Sequence, residues 1–331
     1  MTEEVLDPRS ARPLSDWAYT ARLLCCRTDP TGRYVVAGAT DGTVQRWEID
    51  TGERVSLVGH ENWVRALAFA ADGRVLYSGA YDGRLLSWDL ESGVLQPVRS
   101  VEAHRGWLRG LSVSTDGAWV VSCGNDRLVK VWSAADGSLV REFSGHVDLP
   151  YCVQFVPGAA ELVSGDIRGN VLHWRVADGV VLRSFDAGAM FSHVGDIAPF
   201  GGAIGLTFSP GAERLTVSGL HKVSNAPAGN RRGVAMSFDW LTGEKQPLQE
   251  CGQKELDATM WRALYHSSGV LLGVLEKEVG FWQGGAAEVF HLLSTPEHIF
   301  DLDLHPTRAD LYTAHFDGHV RGWRLAGEKR V

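Results

Sequence analysis

The sequence matches itself when shifted by about 41 to 44 residues, most clearly in its first half, and self-similarity at such a period marks a repeated supersecondary unit. One such unit cannot bury its apolar face alone, so copies must stack on one another to make a core. Three stretches carry the period: Glu61-Asn62-Trp63-Val64-Arg65-Ala66-Leu67-Ala68-Phe69 through Trp88, Arg105-Gly106-Trp107-Leu108-Arg109-Gly110-Leu111 through Trp132, and more loosely Leu149 to Trp174. Each reads as short alternating runs separated by turn residues such as Ala71-Asp72-Gly73, Tyr81-Asp82-Gly83 and Glu91-Ser92-Gly93. That pattern predicts a small antiparallel sheet of four strands per unit.

Polar marks recur at fixed spacing within the units. His60 to Ser78 and His104 to Ser122 are both eighteen residues, Ser78 to Asp82 and Ser122 to Asp126 both four, and Asp82 to Trp88 and Asp126 to Trp132 both six. Gly59-His60, Ala103-His104 and Gly145-His146 precede a first strand, and Trp88-Asp89 ends a third. With these marks the chain resembles the WD40-repeat family, whose blades carry a hydrogen-bonded chain of His, Ser or Thr, Asp and Trp. The resemblance implies an all-β, seven-bladed WD40-type β-propeller of four-stranded antiparallel blades, with structural tetrads at His60, Ser78, Asp82 and Trp88 and at His104, Ser122, Asp126 and Trp132.

The remaining units are degraded. Asp41 and Trp47 mark one, with Ala37 at the hydroxyl position; His146, Ser164 and Trp174 mark another, with Arg168 at the Asp position. Thr313, Asp317 and Trp323 mark the last, with Thr295 at the His position, and two weaker units run from Gly205 to Phe238 and from Ala263 to Trp282. The expected blade units span about 17–60, 61–104, 105–146, 147–186, 203–250, 258–293 and 299–331 of a single domain. The last unit ends too early for its own outer strand, so residues 8–14 are expected to supply it and close the ring. Pro8 and Pro13 are tolerable on such an edge.

Composition agrees with one large soluble domain. The chain of 331 residues is 44% hydrophobic, with twelve Trp against four Met, which suits rigid aromatic packing. Its net charge of −8, without a run of like charge, argues against direct duplex nucleic-acid binding, which needs a clustered basic face. The acidic start, Met1-Thr2-Glu3-Glu4, is not followed by an apolar targeting core, and no stretch reaches the roughly 18 apolar residues of a membrane span. Cys25, Cys26, Cys123, Cys152 and Cys251 form an odd set without metal spacing, as expected of reduced thiols in the cytoplasm.

The search for chemistry yields one constellation. Asp301-Leu302-Asp303-Leu304-His305 would put two carboxylates and an imidazole on one strand face, and a propeller enzyme or metal and small-molecule binder at the channel mouth is the alternative function. His60, His104 and His146 recur with the period and are therefore expected to be structural. No phosphate loop, nucleophile elbow or HExxH occurs, and no catalytic residue, metal or cofactor is expected.

The leading expectation is a non-catalytic protein–protein interaction scaffold that binds proteins or peptides, with no membrane contact and an open oligomeric state. In WD40-like propellers the loops between blades share one rim with the turns between second and third strands. By that register Trp17, Glu61, Trp63, Arg105, Trp107, Leu149, Tyr81, Asn125 and Phe316 face outward, and Arg65, Arg109 and Tyr151 lie further in. Trp, Tyr and Arg are the residue types that dominate interface energetics. A reader of methyl-lysine with an aromatic cage is a special case of this reading. Two insertions in the fifth unit, Asp186 to Gly202 with apolar Met190, Phe191, Ile197 and Phe200, and Leu220 to Gly233, are expected on the same rim as a docked lobe or further contact surface.

Overall fold

The computed structural model describes residues 5–192, 200–225, 230–250 and 259–326. Seven four-stranded antiparallel sheets follow one another along the chain, and the last packs against the first to complete a ring. Their innermost strands are Leu23–Thr28, Val64–Phe69, Leu108–Val113, Pro150–Phe155, Gly205–Phe208, Ala263–Tyr265 and Ile299–Leu304, numbered here as blades 1 to 7. The second strands, such as Val75–Ala80 and Trp119–Gly124, are buried along nearly their whole length because both sheet faces are covered by neighbouring blades. Trp47, Trp88, Trp174 and Trp282 are among the largest fully buried side chains, and the first three pack against the outer strand of the preceding blade, on Trp17, Leu57 and Phe143 in turn.

Glycine is required at the turn that follows the second strand. Gly42, Gly83, Gly169 and Gly318 sit at φ between +81° and +86°, and a Cβ on Gly83 would meet the carbonyl oxygen of His104 at 2.3 Å. Blade 3 places Arg127 there instead, at φ +65°.

The ring closes through the N-terminal segment. The closing strand is Arg12–Ala18, antiparallel to His319–Arg324 with Trp17 opposite Val320, and so lies four residues beyond the expected 8–14. Residues Pro8–Ser10 form a single 3-10 turn, and Leu6 bridges to Ala326. The shift has a simple cause: Tyr19, not a residue before Trp17, takes the position of His60, its hydroxyl donating to Asp41 at 2.6 Å. Trp17 is consequently a strand residue.

Blade 5 differs from the expected loop-bearing unit. Its second and third strands run Arg214–Asn225 and Asn230–Asp239, so the expected expanded turn is an extended hairpin, paired as far as Asn225 with Asn230. The preceding insertion makes a turn at Gly188–Met190 and a short ladder of Phe191–Ser192 with Phe200–Gly201 packed on that hairpin. Ile197 and Cys251 lie outside the described residues.

Candidate functional site

Within blades 2 and 3 the polar marks make one chain of hydrogen bonds. His60 Nδ1 donates to Asp82 at 3.0 Å, Ser78 Oγ donates to His60 Nε2 at 2.8 Å, and Trp88 Nε1 donates to Ser78 Oγ at 2.8 Å. His104, Ser122, Asp126 and Trp132 repeat the arrangement at 2.7 to 2.9 Å. Burial alone would raise both carboxyls. Hydrogen bonds from the imidazoles and from backbone N–H groups outweigh it, holding Asp82 well below the usual range and bringing Asp126 down to about 2.

Blade 4 corrects the expectation of a broken chain at Arg168. Asp166, the last residue of the second strand, accepts from His146 Nδ1 at 3.2 Å, while Ser164 bridges His146 and Trp174. At that strand position blades 2 and 3 carry Ala80 and Gly124, leaving room for the imidazole above. Arg168 instead pairs with Asp148 at the surface, at 2.9 Å. Blade 7 uses the same position: His315 accepts from Thr313 Oγ1 at 2.8 Å and donates to the carbonyl of Glu297, and Thr313 in turn accepts from Trp323 Nε1. Thr295 donates to backbone carbonyls rather than standing in for the missing imidazole.

A second repeated device lies at one end of the channel. In blades 1, 2, 3, 4 and 7 the register of the inner strand slips at its second residue, a β-bulge, and bulges re-aim the side chain they carry. The bulged residues are Leu24, Arg65, Arg109, Tyr151 and Phe300, and all five line one cavity of about 290 Å³. Trp63, Tyr81, Arg22, Arg27, Trp261 and Arg262 also line its walls.

The rim above this cavity is aromatic. Trp63 stacks on Tyr81 with ring centroids 5.8 Å apart, and Tyr81 stacks on Trp107 at 4.2 Å with planes 4° from parallel. Trp63 is 44% exposed and Trp107 41%, against values below 10% for the six tryptophans wedged inside blades. Arg109 lies over Trp107, Tyr81 and Tyr151 at 4.5, 5.1 and 4.3 Å, anchored by bonds to Asn125 and the Tyr81 hydroxyl. Across the mouth, Trp261, Phe300 and Phe316 form a second cluster, with Arg65 over Trp261 and Arg22 over Phe316.

Other expected rim residues fall elsewhere or play smaller parts. Trp17 is not at the rim: it stacks between Trp47 and Tyr312, at 6.3 and 5.8 Å, joining blade 1 to blade 7. Met190 is fully buried in the core between blades 4 and 5, so it has no surface to offer. Phe191 is half-buried beneath Arg168, and Leu149 is half-buried. Glu61 and Arg105 are exposed, and each donates its backbone N–H to the carboxylate of its blade's tetrad. Sequence reading missed Arg22, Trp261 and Phe300. Arg22 is the residue before blade 1's inner strand, as Trp63 is for blade 2, and Phe300 is the counterpart of Arg65, so the inner-strand register carried the signal for both.

The Asp301, Asp303 and His305 set is engaged in structure. Asp301 is buried, pairs with Arg27 at 2.7 Å and Arg262 at 3.4 Å, and accepts from the backbone N–H of Cys26. Burial pushes Asp301 up, but these guanidiniums outweigh it and hold it below its ordinary value; Asp303 is left raised because burial there prevails. His305 donates from Nε2 to the Gly32 carbonyl and accepts at Nδ1 from backbone N–H groups. Among the described residues no three His, Cys, Asp or Glu side chains converge as metal ligands.

The family model described as WD domain, G-beta repeat, matches residues 14–48, 53–89 and 95–133, the stretch that holds the first closed blades. Together with the ring of seven four-stranded sheets, that match decides the family. The chain is a WD40-repeat β-propeller. This propeller is 41% identical over 66 residues to nuclear distribution protein PAC1 of Coprinopsis cinerea, covering 19% of the chain and 15% of that protein. It is 27% identical over 196 residues to protein groucho of Drosophila melanogaster, covering 57% of the chain and 26% of that protein. The matched part of the WD40 propeller thus spans about a quarter or less of these relatives' own length. No helix among the described residues is long and apolar enough to cross a membrane.

Proposed function

We propose that this WD40 propeller acts as one domain, a non-catalytic protein-interaction scaffold in the cytoplasm, and that its partners dock on the aromatic rim around the channel mouth. The observation that carries this reading is the exposed stack of Trp63, Tyr81 and Trp107 braced by Arg109, because large rigid aromatics held open to solvent are the usual energetic anchors of interfaces. The similarity to PAC1 and groucho supports a role of the same general kind. Cys25, Cys26, Cys123 and Cys152 are buried free thiols, which suits a reducing compartment. Against the enzymatic alternative, Asp301 and Asp303 are matched to arginines that would have to be displaced before a cation could bind.

The test is affinity capture from a cell extract, read by mass spectrometry, with the parent protein and a variant carrying Trp63→Ala and Trp107→Ala. Both must first show the same melting curve. The proteins that the parent retains should be lost by the variant, since truncating a central aromatic anchor costs about 2 kcal/mol or more, roughly thirtyfold. Identical sets captured by the two proteins would refute docking on this rim.

A further inference from the structure

The mouth carries a charge opposite to that of the chain. Its walls hold Arg22, Arg27, Arg65, Arg109 and Arg262, whereas the protein as a whole carries −8. Arg27 and Arg262 are matched by Asp301 and Asp303. Arg22, Arg65 and Arg109 form no ion pair with any described carboxylate: Arg65 donates to the Leu24 carbonyl, and Arg109 only to the neutral Asn125 and Tyr81. Three guanidiniums therefore reach the cavity without a described carboxylate in ion-pair contact, Arg65 sharing only the longer-range field of Asp301.

Their placement selects the sign and shape of a ligand. Each of the three already covers an aromatic face, Arg22 on Phe316 at 4.0 Å, Arg65 on Trp261 at 5.5 Å and Arg109 between Trp107 and Tyr151. A methylated lysine would find the faces of its would-be cage taken by Arg109 and would meet like charge. The remaining donors of these guanidiniums are suited to oxyanions. Arg109 sits on one aromatic cluster and Arg22 and Arg65 on two different rings of the other, across the mouth, so they match several singly charged groups along a chain better than one dianion. The negative field of the rest of the protein opposes a long polyanion such as a nucleic acid.

Resting on the rim reading above, we propose that the ligand of the channel mouth is an acidic peptide segment, its Asp or Glu carboxylates meeting Arg22, Arg65 and Arg109 and its apolar side chains lying on Trp63, Trp107 and Phe316. The arginines act as binding residues and the aromatics as anchors. Binding should weaken with added salt, because the charges meet at a partly open mouth.

The experiment pans a displayed library of random twelve-residue peptides against the full chain. Parallel selections use Arg65→Gln with Arg109→Gln, Arg22→Gln alone, and Trp63→Ala with Trp107→Ala, each checked for an unchanged melt. Selected peptides should be enriched in Asp, Glu and large apolar residues. A synthetic peptide of the enriched sequence should bind the parent at least tenfold more tightly than its amide counterpart, in which Asn and Gln replace the acids, and tenfold more tightly than the Arg65/Arg109 variant binds it. Arg22→Gln, on an exposed side chain, keeps the test decisive should the double variant fold poorly. Enriched peptides that are neutral or basic, yet still need Trp63 and Trp107, would overturn the acidic ligand and leave the platform standing. Displacement of the peptide by a twelve-nucleotide oligothymidylate at lower concentration than by unlabelled peptide would replace it with a nucleic-acid ligand. No enrichment over the Trp variant would overturn the inference, and the extract capture above would then decide whether the rim binds a folded protein.

Discussion

Blades 2 to 4 and blades 5 to 7 have one outline and different interiors. The first three each hold a closed chain from carboxylate through imidazole and hydroxyl to indole. In blade 5 the indole is replaced by Phe238 in an apolar cluster with Met190 and Val217; in blade 6 Gly273 stands where the hydroxyl would be; in blade 7 the imidazole comes from the strand itself as His315. What all keep is a large flat ring on the third strand. The difference teaches that the repeat specifies a volume to be filled and a set of donors to be satisfied, and that more than one set of residues does both.

Around blade 7 the apolar packing between neighbouring blades is supplemented by charge. Asp301 ties blade 7 to Arg27 of blade 1 and to Arg262 beside blade 6, at the junction where the ring closes. Asp301→Ala should therefore have the largest effect, about 3 to 5 kcal/mol in a urea melt, because it takes from the buried Arg27 its ion-pair partner and leaves Arg262 with Asp303 alone. Asp301→Asn keeps the hydrogen bond to Cys26 and should cost less. If Asp301→Ala cost under 1 kcal/mol, the junction would have to be held by packing alone.

Acid should separate the two regions. Burial, aided by Arg321, brings His315 down to about 4, below its ordinary value near 6.5 in an unfolded chain. A histidine depressed in the fold gives its full stabilisation above about pH 6.5 and loses it as pH falls towards 4, a span worth at most about 3 kcal/mol. The carboxylates of Asp82 and Asp126 are depressed too, but from ordinary values near 4, so their contribution is complete above that and fails only below it. His315→Gln should flatten the stability profile between pH 6.5 and 4, leaving the shallower slope of His173 and His305, which burial also lowers. An unchanged slope would show that His315 is not neutral in the folded protein.

Asp166 offers a sharper comparison within the early blades. Asp166→Ala should cost about 1 to 3 kcal/mol, as Asp82→Ala should, since each strands an imidazole N–H and several backbone donors. Arg168→Ala removes a surface pair with Asp148 and the cover of Arg168 over Phe191, and should cost less than about 1 kcal/mol. Calorimetric melts of the three variants would check this, and equal losses for Asp166 and Arg168 would return the tetrad role to the sequence position.

Asp166 also shows how far the sequence was legible. Spacing revealed the seven units, the two regular tetrads and the turn residues, because those follow from strand length, which is rigid. It misjudged blade 4 because a carboxylate two residues earlier on the strand reaches the same imidazole, an equivalence of space that counting does not register. It misjudged Trp17 for the opposite reason: the local likeness to Trp63 was strong, but the connection from Ala18 to Leu23 has its own register. The mouth was half legible. Arg65, Arg109 and Tyr151 were found on the inner strands, whereas Phe300, one residue before the Asp301 to His305 run, was not singled out, and Trp261 borders one of the two weaker units.

The smallest expected effect isolates a single hydrogen bond. Trp88 and Trp282 are both fully buried and occupy the same place in blades 2 and 6, yet Trp88 Nε1 donates to Ser78 while Trp282 Nε1 has no described partner, Gly273 standing where the hydroxyl would be. Changing either to Phe removes similar ring area and leaves a similar void, so those costs nearly cancel in the comparison. What remains is polar. Trp88→Phe forfeits a made bond, about 1 kcal/mol, whereas Trp282→Phe removes a buried donor that was already unsatisfied, and Met260 beside it is flexible enough to move into the vacated space. Urea melts should therefore show Trp282→Phe to be the milder change by at least about 1 kcal/mol. Equal costs would mean that the blade 6 indole is satisfied after all, and that the early and late blades differ less in their bonding than in their sequence.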